Sequence, residues 1–267
     1  MISRIQQLEM DSSAKQVVQP KVTGVSLIVP CFNEQESINQ LDQRLSELLE
    51  GATEHAYDFE FIFVDDGSTD ETWSYLQEHF GRRSNTQLLR HPTNQGMMAA
   101  VMTGVAASEN EIVCSIDSDC TYSPMLVLKL LPLMKENVAM ATASPYHAQG
   151  NVVNVPRWRI WLSQTASWLY GRLLKNKISC YTCAFRAYRR DVISDIKLEN
   201  KGFVGTTEMA WRIDQHGWVI RETPATLNVR QYGQSKMRTF RVMMRHLKML
   251  LKIGWNRLLP RPKRRQP

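Results

Sequence analysis

The sequence predicts an α/β protein built on a mostly parallel, doubly wound sheet. Three observations predict it. Short apolar runs alternate with stretches of helical periodicity from residue 25 to about residue 142, the order that generates βαβ units. Two of those runs end in paired carboxylates: Phe59-Glu-Phe-Ile-Phe-Val64 leads into Asp65-Asp66-Gly67-Ser68, and Ile112-Val-Cys-Ser-Ile116 leads into Asp117-Ser118-Asp119. Pro30, Asp66 and Asp119 all fall at strand ends, and ligands of such sheets sit beyond the carboxyl ends of the strands.

Each element follows in turn. Val25-Ser-Leu-Ile-Val29, closed by Pro30, reads as the first strand. Ile38, Leu41, Leu45, Leu48 and Leu49 lie on one face of a helix. The second strand ends at Val64, and Ser68-Thr-Asp-Glu71 has the form of a capping box opening the next helix. Gln87–Leu89 is the third strand, and Gly96–Ala107 an Ala/Met-rich helix. Ile112–Ile116 and Val138–Thr142 are the fourth and fifth strands. Residues 1–23 read as a mobile tail.

The character of the chain changes after residue 145. Trp158, Trp161, Leu162, Thr165, Trp168 and Leu169 recur at helical spacing among Arg157, Arg159 and Arg172. This is either a stripe facing the core or a helix at a membrane interface, where Trp and Arg are favoured. From Phe240, the residues Met243, Met244, Leu247, Leu250, Leu251, Trp255 and Leu258 form one apolar face. Arg241, Arg245, Lys248 and Lys252 fall largely on another, and Arg261-Pro-Lys-Arg-Arg265 follows. Such a basic amphipathic helix suits anionic lipid headgroups. The alternative is a helix packed on its own domain with a solvated basic face.

Charge and composition narrow the class. Twelve basic residues and no acidic one follow Glu222, so the net charge of +7 conceals a mildly acidic body with a basic tail. That asymmetry points to an anionic partner surface. The tail offers only Trp255 for base stacking, against a nucleic-acid partner. Five cysteines, Cys31, Cys114, Cys120, Cys180 and Cys183, make an odd set, which favours free thiols in a reducing compartment. Residues 1–20 hold no apolar signal-peptide core, and no run approaches membrane-spanning length. The expectation is a cytoplasmic protein, peripheral on the cytoplasmic face of a membrane.

Two carboxylates one residue apart at a strand end can grip one divalent cation and, through it, a diphosphate. Taken with Val29-Pro-Cys-Phe-Asn-Glu34, Val64-Asp-Asp-Gly-Ser-Thr-Asp70, Asn94-Gln-Gly96, Phe185-Arg-Ala-Tyr188, Glu208 and Arg230-Gln-Tyr-Gly-Gln-Ser-Lys236, the Asp117–Asp119 pair resembles the family 2 glycosyltransferases of GT-A (Rossmann-like) fold. The likeness is strongest to their dolichol-phosphate mannosyltransferase-like branch. Order and spacing match from about residue 25 to 237, which makes 24–237 the catalytic domain and 238–267 a basic amphipathic helix and tail.

The resemblance implies roles for residues at matching positions. Pro30, Phe32 and Glu34 would line the nucleotide pocket, and Val64 and Asp66 would meet the base and ribose. Asp117 and Asp119, with Ser118 between them on the donor side, would hold Mg²⁺ or Mn²⁺ against the diphosphate. Arg230 and Lys236 would close over donor and acceptor phosphates. Arg159 and Ser163 match an Arg-x-x-x-Ser pattern that binds an acceptor lipid phosphate. The implied reaction is inverting transfer of a sugar from a nucleotide-sugar donor to a polyprenyl phosphate, with Asp119, Glu208 and Arg230 as the catalytic group. A hydroxyl acceptor is the alternative and requires a base, for which Glu208 is the candidate. Glu208 could equally organise a phosphate loop, or make only local hydrogen bonds at a helix start. From another class, the chain could be a non-catalytic membrane- or nucleic-acid-binding module, against which the intact Asp117 and Asp119 argue. Three positions depart from the family's pattern: Thr121 where Gln is usual, Pro145 where an Arg is common, and Cys180-Tyr-Thr-Cys-Ala-Phe-Arg186 in place of Asp-x-Thr-x-Gly-Phe-Arg.

Overall fold

The computed structural model describes residues 22–230 and 239–258. Lys236, the tail before residue 22 and the basic cluster Arg261–Arg265 lie outside the described residues. The longer elements are β1 (Thr23–Cys31), α1 (Ile38–Thr53), β2 (Tyr57–Asp65), α2 (Thr72–Phe80), β3 (Thr86–Arg90), α3 (Met97–Ala107), β4 (Ile112–Ser115) and β5 (Val138–Ser144). They continue with β6 (Asn151–Val153), α4 (Arg157–Leu173), β7 (Arg186–Arg189), α5 (Val204–Gln215), β8 (Val219–Pro224), β9 (Thr226–Asn228) and α6 (Thr239–Leu258).

A seven-stranded sheet runs β3-β2-β1-β4-β7-β5-β8. β7 pairs antiparallel with both β4 and β5, and every other pair is parallel. The mostly parallel α/β fold expected from the sequence is therefore present. The inserted β7 was not anticipated: Arg186-Ala-Tyr-Arg189 has too little apolar character to signal a strand. β6 and β9 form a separate two-stranded ribbon.

Strand periodicity builds the core on both faces. In β1, Val25, Leu27, Val29 and Cys31 join one apolar cluster, and Ile28 joins the other. In β2, Phe59, Phe61 and Phe63 face the first cluster, and Ile62 and Val64 the second. Phe63 stacks on Phe80 of α2, with centroids 4.2 Å apart. α1 covers the same face through Ile38, Leu41, Leu45 and Leu48, whereas Leu49 is only half-buried. α3 covers the opposite face so closely that a Cβ on Gly104 would stand 2.5 Å from Ile28. Each fully buried side chain of this size contributes roughly 1.5–3 kcal/mol.

One expectation is corrected, and one of two open readings is excluded. The Ser68–Glu71 capping box does not form. The Ser68 hydroxyl accepts from the Asn33 amide (2.9 Å), and the Glu71 amide donates to Gln35 Oε1 (2.9 Å). Asp70 takes over, accepting from the Thr72 amide at 3.0 Å. Ser68 is thus drawn away to fix the loop after β1. The Trp stripe of α4 is also not a core face: Trp158, Trp161 and Trp168 are 52, 65 and 58% exposed, and Ser167 and Tyr170 are the residues buried.

α6 has two apolar stripes rather than one. Val242, His246, Met249 and Ile253 face the body, and Leu250 packs beside them. Phe240, Met244, Leu247, Leu251 and Trp255 are exposed. At 100° per residue the two stripes lie on opposite sides of the helix. The basic side chains fill a flank between them, where Lys252 pairs with Glu199. Leu258 belongs to the helix, but its side chain is outside the described residues. Among the described residues, nine of the twelve exposed large hydrophobic side chains lie on α4 and α6, so the apolar surface is gathered onto one helix pair rather than scattered.

Candidate active site

The carboxyl ends of β1, β2 and β4 meet in one crevice. β4 stops at Ser115, and the Ile116 amide still bonds to the Ile28 carbonyl (3.1 Å). Asp117 and Asp119 are half-buried beyond it. Cys120 adopts φ +52°, a left-handed turn that only a specific loop geometry imposes on a side chain of this kind. The turn lets the Thr121 amide donate to Asp119 Oδ1 at 3.1 Å. Burial, then the carboxylates of Asp119 and Glu34, hold the Asp117 carboxyl above its ordinary range, with Arg230 opposing. Ser118 is buried and turned toward the Cys31 thiol, so its side chain supports the strand end and does not face the crevice.

After β1, Pro30 and Phe32 are half-buried at the crevice edge, and Glu34 is buried. Asn33 also takes a left-handed φ of +55°. Its side-chain oxygen accepts from the Thr69 amide (2.8 Å), which stitches the β1 and β2 loops together. Arg230, just beyond β9, closes the site. Its guanidinium pairs with Glu34, and its Nε lies 3.6 Å from Asp119 Oδ2. Burial opposes the charge on Arg230, but the Glu34 hydrogen bond and the acidic cluster outweigh it and raise its pKa.

Val64 and Asp66 are both buried at the carboxyl end of β2. Val64 is fully buried in the core. Asp66 Oδ1 accepts from His91 Nδ1 (2.7 Å) and the Gln95 amide (2.9 Å), and Oδ2 from the Gly96 amide (2.8 Å). Asp66 therefore pins the Asn94-Gln-Gly96 loop. Gly96 has φ +108°, and a Cβ there would stand 2.6 Å from the Lys201 carbonyl, which is why no side chain fits. His91, which also meets Thr103 Oγ1 at 2.9 Å, was not legible beforehand because its partners lie apart in sequence, one beyond β2 and one in α3.

Glu208 is buried near the start of α5, and its oxygens are committed. They accept from the Glu199 amide (3.2 Å), the Asn200 amide and side chain (both 2.8 Å) and Arg212 (3.2 Å). Burial raises its pKa, but these donors outweigh it and the net shift is downward. The geometry is that of a loop organiser: Glu208 fixes residues 199–200, beside the Lys201 carbonyl that meets Gly96.

Arg159 and Ser163, one helical turn apart on α4, line a groove of about 230 Å³ between α4 and α6. Trp158, Leu162, Ala166, Val242 and Met243 make most of its wall. Arg159 Nε is buried and has no hydrogen-bond partner among the described residues. Ser163 Oγ lies 2.7 Å from Thr182 Oγ1. Thr182 adjoins Cys183, whose thiol is pushed up by burial, by Cys180 and by Asp117. Thr182 was noticed beforehand only as part of a motif that departs from its family pattern. All five cysteines are free, and burial raises the pKa of each.

No three His, Cys, Asp or Glu side chains cluster as a metal cage among the described residues. Two acidic oxygen donors at a strand end nevertheless fit Mg²⁺ or Mn²⁺, which take one or two carboxylates plus phosphate oxygens and water. Asp117, its pKa raised by burial and then by the carboxylates of Asp119 and Glu34, stands in a concentration of negative charge that a cation would relieve.

A mostly parallel sheet with acidic strand ends, closed over by an arginine, is an α/β fold whose candidate site lies at the carboxyl ends of its strands. Comparison with known proteins shows the family: the one described as Glycosyl transferase family 2 matches residues 26–197, and the chain belongs to that family. It is 29% identical over 233 residues to a dolichol-phosphate mannosyltransferase of Pyrococcus furiosus, covering 85% of this chain and 64% of that protein. It is also 29% identical to the polyprenol monophosphomannose synthase of Mycolicibacterium smegmatis, covering 79% of this chain and 80% of the relative. A dodecaprenyl-phosphate galacturonate synthase of Rhizobium johnstonii is 27% identical, with 82% and 64% covered. The chain thus spans just under two thirds of two of these relatives. Among solved structures, glucosyl-3-phosphoglycerate synthase of Mycobacterium tuberculosis in complex with Mn²⁺, uridine diphosphate and product aligns with TM-score 0.59 at 20% identity, covering 86% of this chain and 78% of that one. Mannosyl-3-phosphoglycerate synthase of Rubrobacter xylanophilus aligns with TM-score 0.63 at 17% identity, covering 92% and 79%. These two likenesses bear on the fold.

Proposed function

We propose that this chain transfers a sugar, with inversion, from a nucleotide-sugar donor to a polyprenyl phosphate at the cytoplasmic face of a membrane. The observation that carries the acceptor class is the groove between α4 and α6: an apolar trough that holds Arg159, whose buried Nε has no partner among the described residues, beside Ser163 and Thr182. An anionic head on an apolar chain suits that trough, and the three curated relatives above carry polyprenyl-type lipid phosphates in their names.

In this reading Pro30, Phe32 and Glu34 form the rim of the nucleotide pocket, and Asp66 holds the Gly96 loop against it. Asp117 and Asp119 hold Mg²⁺ or Mn²⁺, which would neutralise the diphosphate as it leaves. Arg230, with Lys236, adds charge-assisted hydrogen bonds to the same phosphates. Arg159 and Ser163 aim the acceptor phosphate. A phosphate monoester has its second pKa near ~6, so its oxygen is already anionic at neutral pH and needs no general base. A hydroxyl acceptor would need one, and Glu208, locked by donors from Glu199, Asn200 and Arg212 with its pKa lowered, is a poor base.

Membrane contact rests on the exposed apolar stripe of α6 and the exposed tryptophans of α4. No acidic residue interrupts either helix, and no helix among the described residues is long and apolar enough to cross a bilayer. Five free thiols favour the reducing side. The test is an incubation with vesicles carrying either polyprenyl phosphate or the corresponding polyprenol. A glycolipid that forms only with the phosphate and hydrolyses in mild acid is expected. An acid-stable product formed from the polyprenol would contradict the proposal.

A further inference from the structure

Arg230 sits where a cation would have to go. Its Nε faces Asp119 Oδ2 at 3.6 Å, and its terminal nitrogen pairs with Glu34. Asp119 Oδ1 already accepts from the Thr121 amide at 3.1 Å, which leaves Oδ2 as the oxygen turned to the crevice. The arginine does not reach the site by chance of rotamer. The Asn228 amide donates to the Thr121 carbonyl at 2.9 Å, so the backbone two residues before Arg230 is fastened to the same turn that carries Asp119.

We infer that Arg230 and the divalent cation exclude one another at Asp119 Oδ2, so that cation binding releases the guanidinium from the carboxylates and frees it for the diphosphate. The inference rests on the assignment of the cation to Asp117 and Asp119. Two positive groups cannot share one carboxylate oxygen in a half-buried site without strong repulsion. In the ligand-free protein Arg230 therefore acts as an internal counter-ion for Glu34 and Asp119. It keeps the acidic cluster neutralised, and it weakens binding of a cation that arrives without nucleotide. A cation that arrives with a diphosphate supplies the arginine with a new anionic partner, so the displaced group is not stranded. Metal and nucleotide would then bind with positive coupling through one side chain.

The test uses Mn²⁺ alone, with free ion counted by electron paramagnetic resonance and no nucleotide or acceptor present. Arg230→Gln is expected to bind Mn²⁺ at least about fivefold more tightly than the wild-type chain, the lower end of typical coupling between sites. Arg230→Lys, which keeps the charge, is expected to stay near wild type. Thermal melts check folding, and Arg230→Met gives the same reading if the glutamine variant does not fold. Equal or weaker Mn²⁺ binding on removal of the charge overturns the exchange. Wild-type binding that survives Asp119→Asn overturns the cation assignment itself, and the exchange with it, so the two failures are distinguishable.

Discussion

Replacing Leu251 and Trp255 together with glutamine should detach the protein from anionic vesicles without unfolding α6. Both side chains point away from the body, 67 and 68% exposed. Full burial of a side chain of this size is worth roughly 1.5–3 kcal/mol. With two thirds of each still to bury, the pair contributes about 2–4 kcal/mol to partitioning, or roughly 30- to 1,000-fold in the partition constant. Glutamine is a good helix former, and the docked stripe of Val242, His246, Met249 and Ile253 is untouched, so the helix should keep its place. The assay is cosedimentation with vesicles of neutral lipid doped with an anionic one, with circular dichroism on the same samples. Added salt should weaken binding of the wild-type chain without abolishing it, because the basic flank contributes a screened term. Unchanged cosedimentation of a correctly folded double variant would refute the reasoning and return the exposed stripe to the status of ordinary surface.

Other outcomes follow from the site. Asp119→Ala should abolish transfer, by at least ~10³-fold, while thermal melts stay near wild type; retained metal-dependent turnover would contradict the role of the pair. Arg159→Ala should raise the KM for the lipid phosphate ~10- to 100-fold with a smaller effect on kcat, since a charge-assisted hydrogen bond is worth ~1.5–3 kcal/mol; an unchanged KM would remove the phosphate from the groove. His246 is held neutral by burial, its pKa lowered to about 4, with Tyr170 Oη 3.0 Å away. Its folded pKa lies below the unfolded value, so the stability it contributes is complete above about pH 6.5 and is lost as pH falls toward 4, by up to about 3 kcal/mol. Protection factors along α6, the exchange rates corrected for the intrinsic pH dependence of amide exchange, should therefore be lower at pH 5 than at pH 7.5, and equal protection factors at both would refute this.

Much of the fold was written in local pattern. The first five strands, α1 and α3 could be read because apolar alternation and helical spacing are properties of a few adjacent residues. β7 could not, since Arg186 enters the core by giving its guanidinium to the carbonyls of Thr206 and Tyr181, a long-range solution invisible to periodicity. The capping box failed for a related reason: Ser68 had a better partner in Asn33, thirty-five residues away. At the site, the pattern located Asp117, Asp119, Glu34 and Arg230, which the fold brings together. It placed Val64, Asp66 and Ser118 at strand ends, where the structure finds all three buried. Side-chain direction at a strand end depends on the turn that follows, and here left-handed Cys120 and glycines 67 and 96 set it. The two-sided character of α6 was legible only in part, because both stripes are apolar and only packing decides which one docks.

The most direct test of the account is a donor screen. Purified protein, Mg²⁺ or Mn²⁺, a short polyprenyl phosphate and a panel of nucleotide sugars are assayed for released nucleoside diphosphate. The account predicts release with one donor that requires both the divalent cation and the phosphorylated lipid, and that Asp119→Ala abolishes. Release at the same rate without the lipid phosphate, or without the cation, would contradict it.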